Sequence, residues 1–238
     1  MNFYSQQGED YFIYYHYINK VCDGTFVELG ALDGVTYSNT KFFEDKLEFK
    51  GVLIEPGESY EQLVVNRGKT NRCYRYAVSR TEGVTSYVGQ GALAGIPHSM
   101  PSAQRRQSGR PYRVNTVPLS KLLVGLDYID ILSIDVEGGE KEVLETMTWS
   151  IPVYIVVIEL DGRNEIKDDS CRDILRNNGL DYEIRIGGNE FWVNKNYFRK
   201  EELFDKNAPA PTHGLRFVCL EPSMAEEAIQ RTLRYCRH

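Results

Sequence analysis

Three short apolar runs, each breaking into an acidic turn, constrain this chain most: Thr25–Gly34 (TFVELGALDG), Gly51–Pro56 (GVLIEP) and Ile131–Glu140 (ILSIDVEGGE). Apolar runs this short, bounded by glycine or proline, read as strands buried on both faces, the kind from which parallel sheets are built. In an open α/β sheet a ligand lies outside the carboxyl ends of the strands, where the strand order reverses. The three turns then open onto one cleft, and that cleft is acidic.

Its acidity limits what it can hold. A dinucleotide site sets bare glycines and a helix N-terminus against a pyrophosphate. Here Glu28 and Asp33 stand inside the glycine turn, where a phosphate would be repelled. The ligand should carry positive charge. S-adenosylmethionine (SAM) fits, with a sulfonium and an ammonium toward the first turn and a ribose diol toward the carboxylate that ends the second strand.

The rest of the chain alternates strand and helix patterns. Ser5 to Lys20 has an aromatic helical face (Tyr11, Phe12, Tyr14, Tyr15, Ile18) suited to packing on a sheet. Ser38-Asn-Thr precedes Phe42, Phe43 and Leu47 as a helix start. Helices are also expected over Tyr60–Val65, Leu119–Leu126, Glu140–Met147 and Cys171–Asn177. Strands are expected over Tyr74–Val78, Val84–Val88, Ile129–Ile134 and Val153–Ile158. Tyr182–Ile186 and Glu190–Val193 flank Gly187-Gly188-Asn189, a hairpin signal. Gly89 to Arg113 lacks periodicity and carries Gly91, Gly95, Pro97, Pro101, Gly109 and Pro111; loops of that length are commonly functional or disordered.

The expected fold is therefore α/β, Rossmann-like: a seven-stranded, mostly parallel sheet with an antiparallel last strand, the class I methyltransferase architecture. The step from that architecture to function is analogy. One domain is expected over residues 1–200. Residues 201–238 form a C-terminal extension in which Ser223–Glu226 is a capping box opening a helix striped by Ala225, Ile229, Leu233 and Cys236. Docking of that helix on its own domain is favoured over a dimer contact, so monomer or homodimer stays open.

Composition excludes several classes. A net charge of -6 argues against a nucleic-acid partner, and the basic cluster of Arg105, Arg106, Arg110 and Arg113 lies in a Gly/Pro/Ser-rich loop. The 5 cysteines are scattered without a C-x-x-C pair, which suggests neither a disulfide framework nor a zinc site. No apolar run approaches the roughly 20 residues of a membrane span, and no basic-then-apolar leader opens the chain. A soluble, cytoplasmic protein is expected.

The chain resembles the FkbM family of SAM-dependent methyltransferases. The resemblance rests, in order, on Ser5–Asp10 (SQQGED), Phe26–Gly34 (FVELGALDG) running into Tyr37–Thr40 (YSNT), Ile54–Pro56 (IEP), Tyr128–Glu140 (YIDILSIDVEGGE) and Val157–Glu159 (VIE), covering roughly residues 5 to 195. It implies O-methylation, commonly of a sugar hydroxyl. A small-molecule or lipid acceptor, or a catalytically silent partner of a glycosyltransferase, are the alternatives; the intact acidic turns argue against the last.

Resemblance and chemistry together assign roles. Gly30 lets the backbone approach the methionine part of the cofactor, Glu28 and Asp33 supply negative potential, and Glu55 accepts the ribose hydroxyls. Ser79, after Ala77, borders the adenine, and Gln6 and Ser38 fold over the methionine carboxylate. Asp135, Glu137 and Glu140 follow one strand, and Glu159 and Asp161 end or follow the next. Such a cluster either binds a hard divalent cation, Mg²⁺ or Mn²⁺ at Asp135 and Glu159, or holds a base of raised pKa at Asp135 and Glu137; Glu140 also suits a helix start. His98, in the irregular loop, is a further catalytic candidate, and Gly89–Arg113 is expected to be an acceptor-binding lid.

Overall fold

The computed structural model describes residues 2–18, 21–97, 99–100 and 110–197. Its strands are β1 (Thr25–Leu29), β2 (Lys50–Ile54), β3 (Arg72–Tyr74), β4 (Ala77–Val78), β5 (Gly83–Tyr87), β6 (Tyr112–Val117), β7 (Ile129–Ile134), β8 (Val153–Glu159), β9 (Asp181–Ile186) and β10 (Asn189–Val193). Its α-helices are α1 (Glu9–His16), α2 (Lys41–Leu47), α3 (Tyr60–Arg67), α4 (Leu119–Leu122), α5 (Glu140–Thr146) and α6 (Glu165–Asn177).

Seven strands form one sheet in the order β3-β2-β1-β7-β8-β10-β9. Pairing is parallel from β3 through β8, and β10 runs antiparallel to both its neighbours. This is the expected Rossmann-like fold with a reversed last strand. The chain winds outward from β1 to β3, returns, and winds the other way from β7, so the order reverses between β1 and β7. A ligand crevice belongs above their carboxyl ends.

Successive strand residues face opposite sides of the sheet, and both sides are buried here. On one side Val27, Leu29, Val52, Leu132 and Val156 pack with Leu119, Val143, Leu144 and Leu175 from α4, α5 and α6. On the other Phe26, Leu53, Ile131, Ile155 and Phe191 pack with Phe12, Ile13, Phe42, Phe43 and Leu63 from α1, α2 and α3. Glu28 shares the parity of Phe26 and so projects toward α2 and α3.

The edges differ from the sequence expectations. The single strand expected over Tyr74–Val78 is two: Tyr74 pairs with Ile54 in the main sheet, whereas Ala77 pairs with Thr116 in a separate sheet of order β4-β6-β5. The chain breaks at Arg75–Tyr76 because the flanking residues answer to different partners. Strand β6, which the sequence reading left unassigned, pairs antiparallel with β5. α1 starts only at Glu9, because Ser5 forms a bridge to Tyr37 and the Asp10 carboxylate accepts hydrogen bonds from Tyr4 N (2.6 Å) and Ser5 Oγ (2.5 Å). α6 begins six residues earlier than expected, at Glu165 rather than Cys171, because the Asn164 side chain caps it by accepting from Lys167 N. α4 stops at Leu122, short of the expected Leu126. The C-terminal extension lies outside the described residues, among which no helix is long and apolar enough to cross a membrane.

Candidate active site

A cleft of about 980 Å³, open mouth included, sits over the ends of β1, β2 and β7. Its floor is the first turn. Gly30 holds φ of 76°, and a side-chain Cβ there would stand 1.8 Å from the backbone oxygen of Asp135. Only glycine fits this cradle. The turn is tied down by Gly30 N donating to Ile54 O (3.0 Å) and Asp135 N donating to Leu29 O (3.2 Å).

Glu55 follows β2 and is buried in the cleft wall. Its Oε1 accepts from Gly57 N (2.6 Å) and its Oε2 from Leu32 N (3.0 Å). Burial nevertheless raises its carboxyl above the usual range. Each oxygen keeps a lone pair for a ligand donor, the arrangement a vicinal diol needs. Beyond Glu55 the wall turns apolar, with Tyr76, Ala77, Val78, Tyr87, Ala94 and Ile96, a surface for a planar base.

Glu28 lines the cleft and has a second task besides. Its carboxylate accepts from Ser38 Oγ (2.9 Å), Asn39 N (2.8 Å), Thr40 Oγ1 (2.5 Å) and Arg67 NH1 (3.2 Å). Arg67 is fully buried, pairs also with Glu44, and stacks over the Phe26 ring at 4.8 Å. The charge expected to face a sulfonium thus also holds the β1–α2 loop.

Three of the expected cofactor contacts, Asp33, Ser38 and Ser79, do not reach the cleft lining. Asp33 turns back on its own loop, accepting from Val35 N (2.9 Å), Thr36 N (2.7 Å) and Thr36 Oγ1 (2.8 Å). Ser38 is consumed in the Arg67–Glu28 network. Ser79 follows β4, with its backbone N donating to Val117 O (3.1 Å). Gln6 and Gly30 do line the cleft. So does Glu9, which the sequence reading missed: it is buried, accepts from Asn189 Nδ2 (2.8 Å) and Gln7 N (2.8 Å), and burial raises its carboxyl. Its sequence signal was the first of two adjacent acids, Glu9 and Asp10, before an apolar helical face.

At the far end of the cleft the structure brings together Asp135, Glu137 and Glu159, each offering a carboxylate oxygen within 4.8 Å of the others. Glu137 sits at φ of 54°, a rare conformation for a residue with a side chain, so this loop is held in a strained shape. Asp135 opens onto the cleft while protein encloses its other sides; that confinement, with Glu159 and Glu137 alongside, pushes its carboxyl well above the usual range. Burial, with the acids Glu137, Glu140 and Asp161 alongside, pushes Glu159 up to about 7. Three hard oxygen donors also suit Mg²⁺ or Mn²⁺ better than a soft metal. His98 lies outside the described residues, as do residues 101–109 of the expected lid. The described part of the lid contributes Gly91, Ala92, Ala94 and Ile96 to the cleft wall.

Residues 28–182 match the family model described as Methyltransferase FkbM domain. No curated protein matches. Among solved structures, a TehB-like SAM-dependent methyltransferase from Corynebacterium glutamicum is similar over 82% of this chain and 89% of its own at 9% identity, with a TM-score of 0.43. A protein from Thermoplasma acidophilum described as a methyltransferase is similar over 75% of this chain and 72% of its own at 10% identity, with a TM-score of 0.35.

Proposed function

The chain belongs to the FkbM methyltransferase family and is a SAM-dependent methyltransferase, and on that premise we propose that it methylates a hydroxyl of a sugar or glycan. The observation that carries the proposal is the pairing of a cofactor-shaped cleft with a cluster of carboxylates at its far end, one of them pushed up to about 7. When bound, SAM supplies a methyl group already activated by sulfonium. Glu55 would receive the ribose diol, Gly30 gives the backbone room for the methionine part, and Glu9 and Asp135 add to the negative potential of Glu28, which Arg67 partly offsets.

A sugar hydroxyl is a weak nucleophile at neutral pH and needs help in losing its proton. Glu159 fits that task. With SAM bound as the methyl donor, the Glu159 carboxylate would take the proton that the hydroxyl gives up on methylation. Alignment of the reactants supplies much of the acceleration. A second reading is carried by the convergence of Asp135, Glu137 and Glu159: a divalent cation held there would lower the hydroxyl pKa instead.

One pair of measurements separates the two. If Glu159 is the base, turnover rises with pH through about 7 and survives exhaustive chelation. If a cation is required, chelation abolishes turnover and Mg²⁺ or Mn²⁺ restores it. Stability should move against activity: a carboxyl raised from 4.5 to about 7 on folding binds its proton more tightly in the native state, so its contribution is full below 4.5 and is lost as pH rises through about 7. A protein that gains stability across that window would remove Glu159 from the base role. Transfer of label from SAM to a glycan, read by mass spectrometry, tests the acceptor class.

A further inference from the structure

A second pocket of about 640 Å³, mouth included, lies on the other side of the carboxylate cluster. Glu137 lines both pockets, so they meet at the cluster. The cofactor cleft has a long apolar wall, whereas this pocket is polar: Ser99, Glu137, Glu159, Asp161, Arg163 and Asn164 face it. We propose that this pocket seats the methyl acceptor, and that Arg163 and Asn164 select an uncharged polyol.

The walls are braced in advance. Asp168 is fully buried and accepts from Gly162 N (2.9 Å), while Lys167 pairs with both Glu140 and Asp168. Glu140 in turn accepts from Gly138 N (2.9 Å). The loops after β7 and β8 are thereby locked to each other, as a site that must orient a substrate within fractions of an ångström requires. Gly138, with φ of 102°, allows the backbone of Ser99 to close in: a Cβ there would meet Ser99 O at 2.1 Å.

The charge pattern sets the ligand class. Arg163 and Lys167 are each already paired with acids, Arg163 with Asp161 at 2.9 Å. The acids Glu137, Glu159 and Asp161 leave no net positive charge for a phosphate or carboxylate. What remains is a set of acceptors on the carboxylates and donors on the Arg163 guanidinium and the Asn164 amide, whose oxygen is occupied in capping α6. Hydroxyl groups, which both donate and accept, satisfy such a mixture; an alkyl chain would leave it unsatisfied.

The inference rests on the methyl-transfer reading, and its test keeps the two apart. SAM affinity is measured by calorimetry, and initial rates with labelled SAM are taken on neutral methyl hexosides, on the matching uronides and on simple aliphatic alcohols. The variants are Arg163→Met and Asn164→Ser, the latter keeping a capping hydroxyl for α6. The expected result is turnover of neutral hexosides, with KM raised about ten-fold or more in each variant while SAM affinity stays within about two-fold, a shift of the size expected for a lost hydrogen bond to a charged or amide donor. If SAM binds but the hexosides are not methylated, if uronides or aliphatic alcohols are preferred, or if both variants keep the wild-type KM, the pocket assignment is overturned while the methyltransferase reading stands. Failure of the folded protein to bind SAM would overturn both.

Discussion

Arg67→Ala is expected to lower the free energy of unfolding by about 3–5 kcal/mol, the cost of stranding a buried charge by removing its partner. Arg67 is 1% exposed and Glu28 is 4% exposed, so no water replaces the lost cation. The guanidinium also donates to Gly34 O (3.3 Å), Ser38 Oγ (3.0 Å) and Thr40 Oγ1 (3.0 Å), which ties the whole β1–α2 loop to α3. Urea unfolding measures the loss. Adding Glu28→Gln to the alanine variant should recover part of it, because the stranded charge is then gone; a single-variant loss below about 1 kcal/mol would mean that the loop is held by something else.

Gly30→Ala is the most damaging change expected for cofactor binding. The obstruction 1.8 Å away is a backbone oxygen, which cannot swing aside as a side chain would. Either the turns after β1 and β7 part, or the substituted residue leaves the left-handed region and drags the turn with it. Strain of this kind costs about 1–3 kcal/mol, and the displaced turn is the cleft floor, so SAM affinity should fall by at least roughly 100-fold. Thermal unfolding and calorimetry on one preparation check both effects. An alanine variant that binds SAM normally would show that the turn is not the cofactor's seat.

Much of this was legible in the sequence because apolar runs and acidic turns are local signals. TFVELG, GVLIEP and ILSIDVEGGE each announce a strand and its end, and their order with the Gly187-Gly188 hairpin implies the sheet. The direction in which each acid points was also encoded, though less openly. Glu28 lies two residues after Phe26, so strand alternation sends both to the α2–α3 side, within reach of Arg67. Arg67 gave no signal of its own, since a basic residue near a helix end is ordinary until α3 packs over β1. The split at Arg75–Tyr76 depends on Thr116, far along the chain, and no local pattern carries it. The acceptor-side pocket needed Asn164 to start α6, a cap visible in sequence only as one asparagine among polar neighbours.

Whether the acidic cleft at the β1–β7 switch point holds SAM, with Glu55 on its ribose, is decided by calorimetric titration of SAM into the wild-type protein and into Glu55→Ala. Saturable binding is expected of the wild type, with a loss of about 1.5–3 kcal/mol in the variant, roughly 10- to 150-fold in Kd. Absence of SAM binding by the folded wild type, or equal affinity in a folded Glu55→Ala protein, would contradict this assignment of the cleft.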